Sequence, residues 1–506
     1  MRTIMVDKAT FRYPEAPSPA LTEARLTIDS GEFVLVTGQS GCGKTTLANL
    51  INGLVPHMRE GRFDGRVTVA GLDTRSTSIG ELGRHVGTVF QDPRTQFFTL
   101  NTSEEVAFGC RNHGLDRSRI AAQVAHSFDT LGIPQLADRD ILGLSSGEKQ
   151  KIALASCHAL GPGIFLLDEP SANLDPDATV QLASVLDDLK RSGATIIVLE
   201  HRLHYLTGLF DRVVHLQDGR IRTVYDAADF RSLSGLELAA LGLRCLDLSA
   251  VRRRARPDQG RTGPRHGATF SCENIGFRYR ERAGSRRLPD ETRRQRTGLS
   301  DVSLSAQAGE VIGIAGANGA GKTTLARVGA GLEREQTGRI LLNGHPVSPR
   351  GRLGRVYLVA QDSAYQLFSD SVLGELRLGR GRNSAESEAA DRRILTELGL
   401  WDHRDKHPAA LSRGQQQRLT IAAALASDAD VFFFDEPSSG LDHGAMTAVA
   451  RSLIGLAQSG KIVFVISHDH ELLAASCTRL ITLDEGRVTA DDSVFDESPG
   501  VPEASW

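Results

Sequence analysis

The chain has 506 residues, enough for two or three domains with a sizeable core. Its 40% hydrophobic and 24% charged residues are typical of a folded protein and exclude a disordered or collagen-like chain. The formal net charge of -3 gives no overall electrostatic reason to expect a nucleic-acid partner.

The cysteines and the apolar runs indicate in which part of the cell the protein is found. Six cysteines occur without a C-x-x-C pair, which argues against a zinc ribbon, an iron–sulfur cluster or a disulfide framework. The N-terminal residues contain no apolar run of the kind that marks a secretory signal. The longest strongly apolar stretches have the length of a strand, far below the roughly 20 residues of a membrane helix. We therefore expect a protein of the reducing cytoplasm that does not itself cross a membrane.

The predicted elements alternate between buried strands and helices. Apolar runs at 33–37 and 311–315 lead directly into glycine-rich loops, as buried parallel strands do. Further strand candidates at 163–167 and 431–434 end at acidic residues. This alternation predicts an α/β fold.

One helix has both of its ends marked in the sequence. Asp175 is a suitable N-cap, Pro176 fits the first helical position and Gly193 is a stop signal. The helical spacing predicts one apolar face, which carries Leu182, Val185, Leu186 and Leu189.

The chain is a tandem repeat. The segment GQSGCGKTT at 38–46 returns as GANGAGKTT at 316–324, and LLDEPSANLD at 166–175 returns as FFDEPSSGLD at 433–442. A histidine follows each acidic motif, and the copies of this histidine, His201 and His468, lie 267 positions apart. The repeat predicts a first domain over 1–225, a linker with a short helical extension over 226–268, a second domain over 269–490 and a flexible tail over 491–506.

The glycine-rich segments match the pattern G-x-x-x-x-G-K-[ST]. In this pattern backbone N–H groups and a helix N-terminus cradle phosphate oxygens, a lysine reaches the β- and γ-phosphates, and a hydroxyl binds Mg²⁺. Lys44 and Lys322 are the lysines, and Thr45 and Thr323 carry the hydroxyls. The predicted loop residues are Gly38, Gln39, Ser40, Gly41, Cys42, Gly43, Lys44, Thr45 and Thr46 in the first copy, and Gly316, Ala317, Asn318, Gly319, Ala320, Gly321, Lys322, Thr323 and Thr324 in the second.

Two acidic residues end a predicted strand in each copy. Asp168 and Asp435 are placed to hold Mg²⁺, and the carboxylates that follow, Glu169 and Glu436, are placed to orient and polarise the attacking water. An isolated Asp-Glu pair is usually a surface turn. The preceding apolar run and the repetition favour the catalytic interpretation here.

Between the phosphate loop and the acidic pair, LSSGEKQ at 144–150 returns as LSRGQQQ at 411–417. With these segments the chain resembles the nucleotide-binding subunits of ATP-binding-cassette (ABC) transporters. The resemblance implies two P-loop ATPase domains in tandem, each with a mainly parallel sheet core, an antiparallel β subdomain and a helical signature subdomain. It also implies ATP hydrolysis with Mg²⁺ as cofactor.

The same resemblance implies that the two domains pack head to tail as an intramolecular dimer, each ATP held between the phosphate loop of one domain and the signature of the other. The first site would then combine Tyr13, Lys44, Thr45, Gln91, Asp168, Glu169 and His201 with Ser412, Gly414 and Gln415. The second would combine Tyr279, Lys322, Thr323, Gln361, Asp435, Glu436 and His468 with Ser145, Gly147 and Glu148.

The resemblance also implies individual roles. The tyrosines would stack on adenine, although both could be ordinary strand aromatics. The glutamines would touch Mg²⁺ and the membrane partner, and the histidines would contact the γ-phosphate. Asp175 and Asp442 match the aspartate that couples the two sites.

Several residues depart from the family pattern. The third signature position, usually glycine, is Ser146 or Arg413, and the fifth is Glu148 instead of glutamine in the first copy. We expect two hydrolysis-competent sites, with Glu148 placing a carboxylate that weakens one of them. Cys42 predicts sensitivity to thiol reagents that ATP blocks, or else is simply a small residue that fits the loop.

A finer resemblance concerns QDPRTQFFTLNTSEEVAFG, residues 91–109, which is similar to the ATPases of energy-coupling-factor importers. Gln96, repeated as Gln366, is the second glutamine of that pattern, but the second copy lacks the Ala-Phe-Gly ending. This resemblance implies a transmembrane coupling (T) subunit, a membrane-embedded substrate-binding (S) subunit and a peripheral position on the cytoplasmic face of the membrane. A fused sugar-importer or exporter ATPase and a twin-cassette ribosome factor remain alternatives.

Two arginine-rich segments, 251–267 and 280–296, stand apart from the repeat. They are candidates for contact with anionic lipid or RNA, but charge runs of this kind are usually solvated loops. We expect solvated loops here.

Overall fold

A computed structural model describes residues 2–14, 16–172, 174–248, 267–279, 298–361, 363–378 and 385–493. The chain divides into two compact units, one ending at Leu246 and the other beginning at Asp247. We call them the first and second cassettes.

The first cassette contains two sheets. An antiparallel sheet has the strand order β2-β1-β4-β5, and a mainly parallel sheet has the order β10-β9-β3-β8-β7-β6, in which β10 is antiparallel to β9. The strands are β1 (Arg2–Arg12), β2 (Leu21–Asp29), β3 (Phe33–Gly38), β4 (Arg62–Val69), β5 (Leu72–Asp73), β6 (Val86–Val89), β7 (Ile164–Asp168), β8 (Thr195–Leu199), β9 (Arg212–Gln217) and β10 (Arg220–Asp226).

The central strands of the parallel sheet are apolar throughout because both of their faces are covered. In β3, Phe33 and Leu35 pack into the core shared with the helices. Val34 and Val36 point to the opposite core, shared with the antiparallel sheet. This two-sided burial explains why the sequence shows continuous apolar runs instead of alternation.

The helices of the first cassette cover the parallel sheet and form the helical subdomain, in which α4, α5 and α6 pack together. The helices are α1 (Lys44–Ile51), α2 (Leu54–His57), α3 (Ile79–Leu82), α4 (Thr102–Asn112), α5 (Arg117–Thr130), α6 (Ser146–His158), α7 (Pro176–Arg191), α8 (Ala227–Ser232) and α9 (Gly235–Ala240).

Helix α7 confirms the prediction made from its end signals. The Asp175 side chain accepts a hydrogen bond from the Ala178 N–H at 2.8 Å, and the helix begins at Pro176. All four residues of the predicted apolar face are buried.

The second cassette repeats this architecture. Its antiparallel sheet has the order β12-β11-β14-β15, and its mainly parallel sheet has the order β16-β17-β18-β13-β19-β20. The strands are β11 (Thr269–Phe277), β12 (Leu299–Gln307), β13 (Val311–Ala315), β14 (Thr337–Leu342), β15 (His345–Pro346), β16 (Val356–Val359), β17 (Val431–Asp435), β18 (Ile462–Ile466), β19 (Arg479–Asp484) and β20 (Arg487–Ser493).

The helices of the second cassette follow the same order along the chain. They are α10 (Lys322–Gly329), α11 (Pro349–Arg352), α12 (Val372–Arg377), α13 (Ala385–Glu397), α14 (Arg413–Leu425), α15 (His443–Gln458) and α16 (His470–Ser476). Strand β17 divides its side chains between two cores as β3 does, with Phe432 and Phe434 on the helical side and Val431 and Phe433 on the other. The predicted α/β fold with two tandem P-loop domains is therefore confirmed.

Two predicted boundaries can be compared with the described elements. The short helical extension expected after 226 corresponds to α8 and α9, which bury Phe230 and Leu238 in the core of the first cassette, and the first unit ends at Leu246. At the other end, β20 runs to Ser493, three residues into the predicted tail, where it pairs antiparallel with β19, and Asp491 also binds the Arg479 guanidinium. The arginine-rich segments and the rest of the tail lie outside the described residues, except for Gly267.

Within the described ranges, no helix combines the length and the apolar character that a membrane crossing requires.

Replacing Leu186 by alanine tests the packing of α7. Leu186 is fully buried, so Leu186→Ala should lower the free energy of unfolding of the first cassette by about 2–5 kcal/mol. Val180 lies on the same helix but is 68% exposed, so Val180→Ala should change it by less than about 0.5 kcal/mol. Urea unfolding followed by circular dichroism measures both variants. Equal effects would contradict this packing.

Candidate functional site

The two glycine-rich loops connect a buried strand to a helix, β3 to α1 and β13 to α10. The last glycine of each loop, Gly43 or Gly321, caps the helix with φ of 105° or 104°. A Cβ on Gly43 would lie 2.5 Å from the Ala20 carbonyl oxygen, and a Cβ on Gly321 would lie 2.9 Å from the Gly298 carbonyl oxygen. Both the conformation and the close approach therefore require glycine.

The lysines fold back over their own loops. Lys44 Nζ donates to the carbonyl oxygens of Gly38 and Gln39 at 2.9 and 3.1 Å. Lys322 Nζ donates to those of Gly316 and Ala317 at 2.7 and 2.9 Å. Each lysine is thus held at the centre of its loop, where phosphate oxygens are bound in P-loop proteins.

In each cassette the threonine and the aspartate predicted to bind Mg²⁺ come together, whereas the glutamine predicted with them in the first cassette, Gln91, donates to Glu169. Thr45 Oγ1 donates to Asp168 Oδ2 at 3.1 Å, and Thr323 Oγ1 donates to Asp435 Oδ2 at 2.7 Å. Burial and then the charge of Glu169 raise the pKa of Asp168 to about 7, and burial raises the pKa of Asp435. A hydroxyl beside a carboxylate is a hard oxygen donor set that fits Mg²⁺, and the cation would favour the ionised carboxylate.

Both glutamates have a strained backbone. Glu169 and Glu436 have φ of 46° and 51°, in the left-handed region that non-glycine residues rarely adopt. Their N–H groups donate to the carbonyl oxygens of Leu199 and Ile466, each at 2.8 Å. The same unusual turn therefore follows β7 and β17. Such strain persists only where the surroundings impose it, and it is typical of functional sites.

In the first cassette, Glu169 lies between Gln91 and His201. Gln91 Nε2 donates to Glu169 Oε2 at 2.6 Å, and His201 Nε2 is 3.4 Å from Glu169 Oε1. Burial raises the pKa of Glu169, but hydrogen bonding and charge from His201, Lys44 and Gln91 outweigh it and hold the pKa below its usual value. Glu169 is therefore poised as a carboxylate.

His201 Nε2 also lies 3.2 Å from Lys44 Nζ. An ammonium group only donates, so any hydrogen bond between these two atoms runs from Lys44 to the ring nitrogen. One ring nitrogen is thus shared between the lysine and the glutamate.

The second cassette holds its glutamate differently. Glu436 accepts from the His468 N–H and from Ser467 Oγ, both at 3.1 Å. His468 Nε2 lies 3.8 Å from Glu436 Oε1 and 3.2 Å from Asn318 Oδ1 in the phosphate loop. Gln361, which follows β16, is exposed.

The two tyrosines lie beside the phosphate loops in the same way. The hydroxyl of Tyr13 is 3.2 Å from Thr46 Oγ1, and that of Tyr279 is 3.3 Å from Thr324 Oγ1. Each ring stands edge-on to the phenylalanine two positions earlier, with centroids 4.8 and 4.9 Å apart. Both rings are thus fixed at the start of the loop helix, where an aromatic face could meet a base.

The signature residues begin a helix in each cassette. Ser145 and Ser412 are the N-caps of α6 and α14, and both form complete capping boxes. Glu148 accepts the Ser145 N–H at 2.8 Å, and Gln415 accepts the Ser412 N–H at 2.9 Å. Carboxylate and amide perform the same structural task here.

The two glycines in these signature helices differ in how closely they approach the neighbouring segment. A Cβ on Gly147 would lie 2.8 Å from the Cβ of Ala178 in α7, so Gly147 allows close helix packing. A Cβ on Gly414 would make only an ordinary contact with Leu441, at 3.8 Å. Asp175 and Asp442 cap these neighbouring helices, α7 and α15.

Sequence reasoning missed two buried glutamates that anchor the loop after Gln91 or Gln361. Glu105 Oε2 accepts the N–H groups of Phe98 and Thr99 at 3.0 and 2.8 Å. Glu375 Oε2 accepts those of Phe368 and Ser369 at the same distances. The repeated position of these glutamates, nine residues after the second glutamine, was the available signal.

The second glutamine closes the same loop. Gln96 accepts the Phe90 N–H at 3.3 Å and donates to the Thr88 carbonyl at 3.2 Å. Gln366 makes the equivalent bonds to Ala360 and Leu358 at 2.7 and 2.9 Å. This loop therefore has the same hydrogen-bonding pattern in both cassettes.

Comparison with known proteins gives the family. A family model described as "ABC transporter" matches residues 21–172 and 299–439. A "Putative ABC transporter ATP-binding protein" of Treponema denticola is 39% identical over 96% of both chains, and one of Methanosarcina mazei is 34% identical over 96% of this chain and 88% of its own. An archaeal ribosome recycling factor, solved with a ribosomal stalk protein, has 20% identity, a TM-score of 0.61, and coverage of 96% of this chain and 90% of its own. That last likeness concerns the fold alone.

The fold and the paired loops define a P-loop ATPase with two cassettes, which uses ATP with Mg²⁺. The chain belongs to the ABC transporter family, as an ATP-binding protein with fused cassettes.

Variants of Glu148 test whether its carboxylate only caps α6 or, as expected from the sequence, weakens an ATP site. Glu148→Gln should leave the melting temperature unchanged and ATPase activity within about twofold, because an amide oxygen can accept the same N–H group. Glu148→Ala should lower stability by about 0.3–1.5 kcal/mol. Gln415→Glu is the matched control in the second cassette. A several-fold rise in activity in Glu148→Gln would instead support the expected weakening.

Proposed function

We propose that this chain is the ATPase subunit of an energy-coupling-factor importer, peripheral to the cytoplasmic face of the membrane. It would drive uptake of a small micronutrient, a vitamin or a metal ion, through a transmembrane coupling subunit and a membrane-embedded substrate-binding subunit. The observation that carries the proposal is the closed loop after Gln91, which the second cassette repeats after Gln361.

This loop presents apolar side chains to solvent from a fixed backbone. Phe98 is 74% exposed and Phe368 is 81% exposed, although their N–H groups are held by buried glutamates. Leu100 and Tyr365, in the same two loops, are 66% and 80% exposed. Rigidly held, exposed aromatics are typical of interaction sites, because a partner can cover them at little entropic cost.

We further propose that each ATP binds between the phosphate loop of one cassette and the signature helix of the other. The N-terminus of α14 would then face the first phosphate loop, and that of α6 the second. The exposed Ser412 and Ser145 hydroxyls would meet the γ-phosphate. A helix N-terminus suits an anion because its N–H groups and its dipole are both favourable.

The residues of each cassette divide the chemistry. Lys44 would balance phosphate charge, and Thr45 with Asp168 would hold Mg²⁺, which neutralises charge developing on the phosphate oxygens. Glu169, ionised and fixed by Gln91, would orient a water molecule and polarise it. His201, placed between Lys44 and Glu169, would contact the γ-phosphate. In the second cassette the corresponding residues are Lys322, Thr323, Asp435, Glu436 and His468.

Single glutamate variants test whether both sites hydrolyse ATP. Glu169→Gln and Glu436→Gln should each remove at least about half of the activity, and the double variant at least about 99%, because the amide cannot act as the base. ATPase assays on purified protein measure this. Glu23 and Glu485 also have positive φ, 47° and 43°, but are exposed, so Glu23→Gln and Glu485→Gln are matched controls. Full activity in either active-site single variant would contradict two active sites.

The exposed loop aromatics test the membrane partner. The double variant Phe98→Ser, Phe368→Ser should lose at least about 90% of co-purification with membrane proteins from detergent-solubilised membranes, while basal ATPase activity stays within about twofold. Mass spectrometry of the captured proteins identifies the partners.

The matched control replaces exposed apolar residues elsewhere, Met58→Ser and Leu332→Ser, which are 69% and 57% exposed in the unchanged chain. This control should keep its membrane partners. Recovery of the unchanged chain with ribosomes instead of membranes would contradict an importer. Capture of a sugar-importer or exporter channel would support another transporter ATPase.

A further inference from the structure

A buried carboxylate directly precedes the histidine of the first cassette. Glu200, which follows β8, is 2% exposed. Its Oε1 accepts from the Ser171 hydroxyl at short range, from the Ser171 N–H at 3.3 Å and from the Tyr205 hydroxyl at 3.0 Å. Its Oε2 accepts the His201 N–H at 2.8 Å. Four donors therefore surround this carboxylate.

These donors compensate for the burial. A buried carboxylate is costly unless hydrogen bonds replace its water shell, and removing it leaves several donors without an acceptor. Burial, followed by the charge and the hydrogen bond of Glu200, raises the pKa of Tyr205, so its phenol remains a donor.

The donors belong to two segments of the proposed site. Ser171 stands two residues after Glu169, on the strained turn that follows β7. His201 lies in the segment that follows β8. One carboxylate therefore bridges the turn that carries the glutamate and the turn that carries the histidine.

The second cassette makes the equivalent bridge with a different residue. Ser438, the counterpart of Ser171, donates its hydroxyl to Asp469 Oδ2 at 2.7 Å. Asp469 is 4% exposed, and its Oδ1 caps α16 by accepting the N–H groups of Glu471 and Leu472 at 3.1 and 3.2 Å. The serine is retained, but the carboxylate has moved from the residue before the histidine to the residue after it.

The counterparts of the bridging residues confirm this exchange. Ser467 occupies the position of Glu200, and Arg202 occupies that of Asp469, each pair being 267 residues apart. Leu472, fully buried, takes the place of Tyr205. Both cassettes therefore have a buried carboxylate, next to the histidine in sequence, that accepts the hydroxyl of Ser171 or Ser438.

We propose that Glu200 is a positioning residue for ATP hydrolysis in the first cassette, locking the turn of Glu169 to His201, and that Asp469 performs this task in the second. The inference rests on the proposed roles of Glu169 and His201.

The test exchanges one arrangement for the other in Glu436→Gln protein, where the first cassette supplies the ATPase activity. Glu200→Ser should lower kcat at least about tenfold and leave KM for ATP within about threefold, because the phosphate loop is unchanged. Adding Arg202→Asp reproduces the order of the second cassette and should restore kcat to within about threefold of the parent. Melting temperatures and circular dichroism of all variants establish that they fold.

Two further variants sharpen the test. Ser171→Ala removes one donor and should lower kcat, with little further loss when it is combined with Glu200→Ser, because both changes break one network. Ser192→Ala is the matched control and should leave kcat unchanged, because the Ser192 hydroxyl donates to the Leu189 carbonyl oxygen at 2.7 Å, outside this network. Should Glu200→Ser fail to fold, Ser171→Ala against Ser192→Ala decides.

Unchanged kcat in folded Glu200→Ser, no rescue by Arg202→Asp in a folded protein, or equal effects of the two serine variants would overturn the inference. These outcomes leave the proposed site intact. Failure of the site assignment is recognised separately. In that case the ATPase activity of Glu436→Gln protein would persist when Glu169→Gln is added.

If Glu436→Gln alone abolishes all activity, the same variants are made in the otherwise unchanged chain. There, too, a loss of kcat in Glu200→Ser that Arg202→Asp does not restore would overturn the inference.

Discussion

The register between two neighbouring parallel strands fixes the geometry of each candidate site. Asp168 at the end of β7 pairs with Leu199 at the end of β8, and Asp435 pairs with Ile466 in the second cassette. Because parallel strands end at the same sheet edge, the acidic pair and the histidine emerge side by side. Strand β8 lies between β7 and β3, and β3 leads into the phosphate loop, so the lysine reaches the same edge of the sheet. A slip of one residue would turn these side chains to the opposite face.

Within this shared frame, the two cassettes satisfy their buried polar groups differently. His201 lies near Lys44, whereas His468 lies near Asn318, whose counterpart in the first loop is Ser40. Glu436 accepts the backbone N–H of its histidine, whereas in the first cassette Glu200 accepts it. The fold dictates where donors and acceptors must be paired, but not which residue supplies the partner. Sites with one architecture can therefore differ in how firmly their glutamate and histidine are held.

The sequence predicted the elements whose signal is local. Apolar runs placed β3, β7, β13 and β17 to within one residue at each end, because strands buried on both faces must be apolar throughout. Glu200 was not predicted, because its partner Ser171 is 29 residues away and the repeat aligns Glu200 with a serine. The capping role of Glu148 was missed for a different reason. A carboxylate in the signature suggests repulsion of a phosphate, whereas the Glu148 carboxylate accepts the Ser145 N–H at the N-terminus of its own helix.

The loop after β6 links the candidate site to the exposed aromatic surface. Gln91 contacts Glu169, and the neighbouring Phe90 N–H is bound by Gln96, two residues before Phe98. Glu105 holds the far end of the same loop through Phe98 and Thr99. Because both ends are tied by side-chain hydrogen bonds, the loop is expected to move as one body and not by local fraying. A partner docked on Phe98 would therefore be coupled to the Gln91–Glu169 hydrogen bond, and coupling of this kind acts equally in both directions.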